Sequence, residues 1–424
     1  MDTKNKSQST LGAYIVGAYL FSVPAFAYSE DQGLLMIPQI MGAILMAIFV
    51  LDILKNLQIK MPREIRFYGL MGLWAVLTFV FAFSQSEVER LRLGTLVKVI
   101  IATLACAHLI KDDNDLFIAL KIFVFSILLI FYQNRGDLQY LRTAEKITEA
   151  DRFSGTFTNP NFAAMFSLTV IWASTFLWLH SGQGIRKRIL LLAPIGISLI
   201  IIYYAGSKKG LIGLGLFVLF FARLLYIRQR TSFMRKSQVI LIASLLIVGV
   251  GYLIYSSPFL FRTEQLISRE SVSDLRRLDL ADEAIKVWLM NGKTFFIGTG
   301  FDNFKLFSSF QTYSHSTPLE LLASNGIVGF FLFMAFFLLI SRKFLFLYKH
   351  THDQQSRSVF FSILIFLVIY TFFMMTIVLH DARELMPIFG CLAAFGEYRL
   401  CLLRQNPVPL PGVYEPALKR VLQA

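Results

Sequence analysis

The chain has 424 residues, of which 56% are apolar and only 16% charged, a balance that no water-soluble domain of this length needs. Its apolar stretches recur almost to the C-terminus and leave no room for a separate soluble unit. The net charge of +14 does not point to nucleic acid, because Lys and Arg fall mainly in short connections between apolar runs, where membrane topology and anionic lipid account for them.

A spanning helix needs about 20 mostly apolar residues. The sequence predicts about twelve such runs, in an all-α, polytopic membrane bundle: 11–28, 32–51, 67–83, 93–110, 115–132, 159–180, 189–206, 209–226, 237–256, 316–340, 358–379 and 384–402. Lys4 and Lys6 before the first run, with Ala25-Phe26-Ala27 at its end, give it the look of a signal peptide, but the spans that follow make it an uncleaved first helix. Residues 1–402 are expected to form a single transmembrane domain, 257–315 an extracytoplasmic loop within it and 403–424 a Pro-containing cytoplasmic tail. Cys106, Cys391 and Cys401 lie in apolar stretches without metal or disulfide spacing and are expected to be buried hydrophobes.

Basic residues alternate between the connections. Lys55, Lys60, Arg63 and Arg66 follow the second run, Arg186, Lys187 and Arg188 the sixth, and Arg342, Lys343, Lys349 and Arg357 the tenth, whereas Ser29 to Asp31 carries no base. The positive-inside rule therefore places both termini in the cytoplasm and the two longest connections, 132–160 and 257–315, outside. In the second of these, Leu278, Ala281, Ile285 and Trp288 recur at helical spacing after Ser273, which predicts an amphipathic helix at the membrane surface anchored by Trp288.

The informative charges are those on the side where topology does not place them. Ala205-Gly-Ser-Lys208-Lys209-Gly210 forms a short outer turn in which two ammonium groups stand beside glycines. It is either a snorkelling pair at a helix end or part of an anion site, which needs several converging cations. Arg152 precedes Asn159-Pro160-Asn161 at the mouth of the sixth run, and Arg276 and Arg277 lie on the amphipathic helix, Arg277 being the stronger candidate. His315 opens the tenth run, with Pro318 in its first turn. Its imidazole can titrate near neutral pH and act as a general base or as a donor to an oxyanion. Glu320, one turn further in, is an ionisable group that needs a partner or a role. His380-Asp381-Ala382-Arg383-Glu384 makes a charged outer turn, for which an internal ion pair is the simplest account. Gly298-Thr-Gly300 lacks the strand and helix context of a dinucleotide site. No nucleophile motif, metal-ligand cluster or carboxylate dyad is evident.

Taken in order, Arg152 with Gly155 and Asn161, Gly206-Ser207-Lys208, Arg277 through Ala284, Gly298-Thr-Gly300, His315 with Leu319-Glu320, and Gly326-Ile-Val-Gly329 resemble the O-antigen ligase and polymerase superfamily over residues 150–335. The resemblance implies an inverting, metal-independent glycosyltransferase of the bacterial inner membrane without a cofactor. Its donor would be an undecaprenyl-pyrophosphate-linked glycan used at the outer face. The acceptor would be another lipid-linked repeat unit in a polymerase, or lipid A core in a ligase. By position, the family's basic residue in the short turn falls on Lys208, where Arg is more usual, so that Lys209 can share its task. The loop Arg falls on Arg277 and the catalytic His on His315. Lys208, Lys209, Arg277 and Arg152 would then bind pyrophosphate, with Arg276, Glu320 and Asn161 in support. Polymerisation of repeat units is the favoured expectation, ligation the alternative. A flippase for lipid-linked glycan is the rival from another class, although charges concentrated on one face do not line a route to both sides.

Overall fold

The computed structural model describes residues 3–26, 32–137, 153–157, 159–180, 188–228 and 272–405. Among them the regular structure is helical: α1 Thr3–Phe26, α2 Gln32–Asn56, α3 Arg63–Val80, α4 Glu87–Leu109, α5 Asp113–Val124, α6 Ser126–Gln133, α7 Pro160–His180, α8 Leu192–Ala205, α9 Lys208–Arg228, α10 Val272–Trp288, α11 Gly292–Phe296, α12 Thr317–His350, α13 Gln354–Met374 and α14 Met386–Gln405. Short 3-10 turns lie at Gly155–Phe157 and Phe304–Leu306.

The predicted runs coincide with helices except 237–256, which lies outside the described residues, as do Arg152 and most of the predicted tail. Seven helical stretches among the described residues are long and apolar enough to cross a membrane: Gly33–Asn56, Glu87–Leu109, Asp113–Gln133, Pro160–His180, Thr317–His350, Gln354–Met374 and Met386–Gln405. This is fewer than the twelve expected. The apolar part of α1, Thr10–Phe26, and all of α8 are shorter; the 14 residues of α8 rise only about 21 Å against a hydrocarbon core of about 30 Å. The chain is thus a multi-pass helical membrane protein.

Packing follows the demands of an interior without water, where backbone bonds close within helices and buried polar side chains find partners across them. Helix α12 lies against α3 and α13, α14 against α4, α1 against α5, and α7 against α8. The Trp172 indole N–H donates to the Ser362 carbonyl at 2.8 Å while its ring stacks on Phe366 at 4.4 Å. Tyr68, fully buried, stacks on Phe336 and donates to the His380 carbonyl at 2.7 Å.

Polar side chains gather at two ends of the bundle. At one end Asp52 meets His108 at 2.9 Å and Lys111 at 3.2 Å, and Lys343 bridges Glu64 and Glu397 at 2.7 and 2.6 Å. Lys60, Arg63 and Arg66 line a cavity beside them. The ends of α3 and α13 and the starts of α4, α7, α9 and α12 meet at the other end, where the candidate site lies.

Helix α10 occupies the segment in which an amphipathic helix was expected, but a different stripe is buried. Leu280, Ala284 and Val287 pack with Phe304 and Ala323, and with the half-buried Phe307, Phe310 and Leu319, while Leu278 and Ile285 of the expected stripe are exposed. Trp288, half-buried, stacks on Phe295 at 5.1 Å and donates to that residue's carbonyl at 3.1 Å. The helix is held onto the start of α12 by protein contacts.

Candidate active site

The turn between α8 and α9 is built from its small residues. Gly206, at φ 52°, takes the left-handed conformation that ends α8. Ser207 is fully buried and caps α9. Its Oγ accepts from the Gly210 N–H at 3.1 Å and donates to Asn161 Oδ1 at 2.7 Å. Asn161 in turn receives order from Asn159, whose Oδ1 accepts the Asn161 N–H at 2.9 Å. The Asn-Pro-Asn at the mouth of α7 thus fixes the turn that carries Lys208 and Lys209. Both lysines fall in the first turn of a helix with no acidic residue there. The helix dipole disfavours cations at that place by about 0.3–1 kcal/mol each and favours an anion. Lys209 extends to α13, where its Nζ donates to the Thr376 carbonyl at 2.7 Å.

His315 stands where the loop enters α12. Its backbone is left-handed, φ 58°, an uncommon state for a residue with a side chain and one that neighbours must enforce. They do so from both sides. The Ser314 N–H donates to Glu320 Oε2 at 2.8 Å, and Ser314 Oγ donates to the Ser316 carbonyl at 3.0 Å. Thr317 Oγ1 donates to the Ile377 carbonyl at 2.7 Å and accepts the Leu379 N–H at 2.9 Å. Glu320, buried, completes its bonding with Ser324 Oγ at 3.0 Å. Its role is therefore a brace for the loop, and its partners are hydroxyl and amide groups.

The imidazole of His315 lies 4.4 Å, centroid to centroid, from the Tyr313 ring. Burial, then the positive charges of Arg277, Lys209 and Arg276, push its pKa down to about 4, so that at neutral pH the ring is uncharged. Three of the cations singled out in the sequence thus act on one histidine. Arg276 is also engaged locally, packed over the Phe310 ring at 4.4 Å and donating to its carbonyl at 3.3 Å. Lys208 is half-buried at the start of α9, beside Lys209.

The two glycine motifs do structural work at the same place. Helix α12 is broken at Gly326, φ 66°, and the carbonyls freed by the break accept from the glycine loop: the Thr299 N–H donates to the Ala323 carbonyl and the Gly300 N–H to the Ser324 carbonyl, both at 2.9 Å. A Cβ on Gly298 would collide with the Ser324 carbonyl, and one on Gly326 with the carbonyl of Phe296. The indole N–H of Trp74 in α3 donates to the Asn325 carbonyl at 2.9 Å. The loop is also tied to the turn between α3 and α4: Asn303 exchanges bonds with the Ser84 backbone at 3.0 and 3.2 Å, and Asp302 pairs with Arg92 at 2.7 Å.

Next to His315 opens a cavity of about 200 Å³ lined by Arg92, Asn159, Asp302, Tyr313, Glu320, His380 and Asp381 among others. The outer turn after α13 therefore divides in a way the sequence did not suggest. Arg383 and Glu384 form its ion pair, at 3.3 Å, while His380 and Asp381 face the cavity. Burial lowers the pKa of His380. Arg92, Tyr313 and Asp302 carried no motif. The one available signal was Arg92, a base on the side where topology does not want one.

A family model describing O-antigen ligase matches residues 193–334. The segment is similar to O-antigen ligases over about a third of the chain. It contains Lys208, Lys209, Arg276, Arg277, His315 and Glu320, and the resemblance to the O-antigen ligase and polymerase superfamily is thereby shown over that segment. No curated protein matches the chain. The family so described is one of glycosyltransferase-like membrane enzymes that act on lipid-linked glycans. Within the matched segment the Gly-Ser-Lys turn, the α10 arginines and the mouth of α12 are brought together from over a hundred residues of chain.

Proposed function

We propose that the protein is an inverting, metal-independent membrane glycosyltransferase that moves a glycan from an undecaprenyl-pyrophosphate donor to an acceptor hydroxyl, polymerising polysaccharide repeat units at the extracytoplasmic face of the bacterial inner membrane. The observation that carries this reading is an uncharged His315 standing in the field of Arg277, Lys209 and Arg276 within the segment similar to O-antigen ligases.

Lys209, Arg277 and Lys208, with the start of α9, hold the pyrophosphate; fixed cations stabilise the charge that develops on it as it leaves. His315 takes the proton of the acceptor hydroxyl. The acceptor oxygen attacks the anomeric carbon from the face opposite the pyrophosphate, the carbon–oxygen bond to pyrophosphate breaks, and undecaprenyl pyrophosphate leaves with the electron pair. A pyrophosphate among the cations offsets their field at His315 and raises its basicity, so donor binding primes the base. Arg152 completes the cation set in this proposal, and Asn161, Arg276 and Glu320 position the groups that touch substrate.

Ligation to lipid A core is the second reading, favoured by the description of the matching family. Purified protein in lipid nanodiscs, given undecaprenyl-pyrophosphate-linked repeat units, is expected to lengthen them. A requirement for lipid A core would assign a ligase instead, and passage of lipid-linked glycan across liposomes with no glycosidic bond formed would make the protein a flippase.

A further inference from the structure

The groups around His315 divide by charge. Arg277, Lys209 and Arg276 act on the imidazole, and Arg277 acts also on Tyr313. The cavity beyond Tyr313 is of the opposite character: among the described residues Asp302, Asp381 and Glu320 line it against one cation, Arg92, together with Asn159, His380, Tyr313 and the aromatic rings of Phe162 and Phe301. Arg92 is committed to Asp302, which Lys305 also holds at 2.7 Å. Glu320 is engaged by Ser314 and Ser324. Asp381 makes no salt bridge with a described residue. His380 is 3% exposed and its Nδ1 has no hydrogen-bond partner. A buried imidazole nitrogen left unbonded costs free energy unless a ligand or water completes it.

Carboxylate and amide groups beside aromatic faces suit a sugar ring, whose hydroxyls donate to the carboxylates and whose C–H face lies on the aromatic ring. They do not suit a pyrophosphate. Tyr313 joins the halves: its hydroxyl bonds with Asn159 on the cavity side, and its ring rests on His315.

We propose that this cavity is the acceptor subsite, that Asp381, His380 and Asn159 hold the acceptor's terminal sugar with its hydroxyl directed towards His315, and that its carboxylates select an uncharged or amino sugar over a uronic acid. This rests on the glycosyltransferase reading. An acidic sugar placed there would set its carboxylate beside Asp381 with Arg92 already paired, a like-charge contact that opposes binding.

The test uses the full-length protein in nanodiscs with two acceptors, undecaprenyl-pyrophosphate-linked repeat units ending in a neutral hexose or in the corresponding uronic acid. Asp381→Asn and His380→Gln are expected to raise the KM for the neutral acceptor about tenfold or more while the KM for donor stays within about twofold, which also shows that the variants are folded. Asp381→Asn is further expected to narrow the preference for the neutral over the acidic acceptor. Unchanged acceptor KM in both variants, with donor use intact, would overturn the subsite. So would a wild-type protein that uses the uronic acid as well as the hexose. Loss of donor and acceptor use together would show that the cavity is not separable from the pyrophosphate site and would also count against the proposal. The underlying reading fails differently: full transfer by His315→Ala would remove it whatever Asp381→Asn does.

Discussion

At the scale of single residues, the behaviour of His315 makes the sharpest demands. Its pKa of about 4 comes from burial first and from Arg277, Lys209 and Arg276 next. The acid limb of kcat/KM, which reports the free enzyme, is therefore expected well below the ordinary histidine range, and that of kcat, which reports the donor-bound complex, at higher pH. Arg277→Gln removes one of those charges and is expected to move the kcat/KM limb upward; a limb that stays in place would show that Arg277 does not act on His315. Stability has the matching sign. The unfolded chain protonates this imidazole below about 6.5, the folded chain only near 4, so the contribution is complete above 6.5 and is lost as pH falls towards 4. Lys208→Ala with Lys209→Ala is expected to raise donor KM about tenfold or more without lowering the thermal midpoint in proportion, measured by paired kinetics and thermal unfolding. The candidate cations and His315 were legible in the sequence because they break a topological rule. Tyr313 and Asp302 were not, because what defines them is contact across the fold: Asp302 pairs with Arg92 across 210 positions.

At the scale of elements, the site depends on a broken helix. Gly326 carries a positive φ, and Gly298 lies against the backbone of Ser324 and Asn325 while Gly326 lies against that of Phe296 and Ile297. Gly326→Ala adds a strained conformation to a collision with the Phe296 carbonyl and is expected to cost about 2 kcal/mol or more, seen as a lowered thermal midpoint and reduced transfer. Gly69→Ala in α3, where nothing lies within 4 Å of the added carbon, is expected to be neutral or stabilising by up to about 1 kcal/mol. Equal effects of the two substitutions would contradict the packing described. The glycine motifs were visible in the sequence, but their task was not, since two of them act as one joint. Helix α10 shows a related limit. Both 278/281/285/288 and 280/284/287 recur at helical spacing, and only the partner surface, formed by Phe304, Ala323 and their neighbours, decides which stripe is buried.

At the scale of the whole molecule, the sequence was most informative: long apolar runs can only be helices in a bilayer, and those that fall on described residues are helices. The span count was the weaker inference, because α8 is apolar throughout yet too short to cross unaided. The polarity of the bundle is directly testable. Cys401 is exposed near the end that carries Lys60 and Lys111, whereas Cys106 and Cys391 are buried. Impermeant thiol reagents are expected to label Cys401 from the cytoplasmic side only. A cysteine introduced at Lys293→Cys in a Cys401→Ser background is expected to label from outside only. Labelling of both positions from one side would overturn the proposed orientation and with it the extracytoplasmic site.

The account rests most heavily on His315 as the group that takes the acceptor proton. The measurement that tests it is glycan transfer by His315→Ala in nanodiscs, with binding of the undecaprenyl-pyrophosphate-linked donor measured on the same preparation. Donor binding retained with transfer reduced at least about a hundredfold is the predicted result, in line with the usual contribution of general base catalysis. Transfer at the wild-type rate would contradict it.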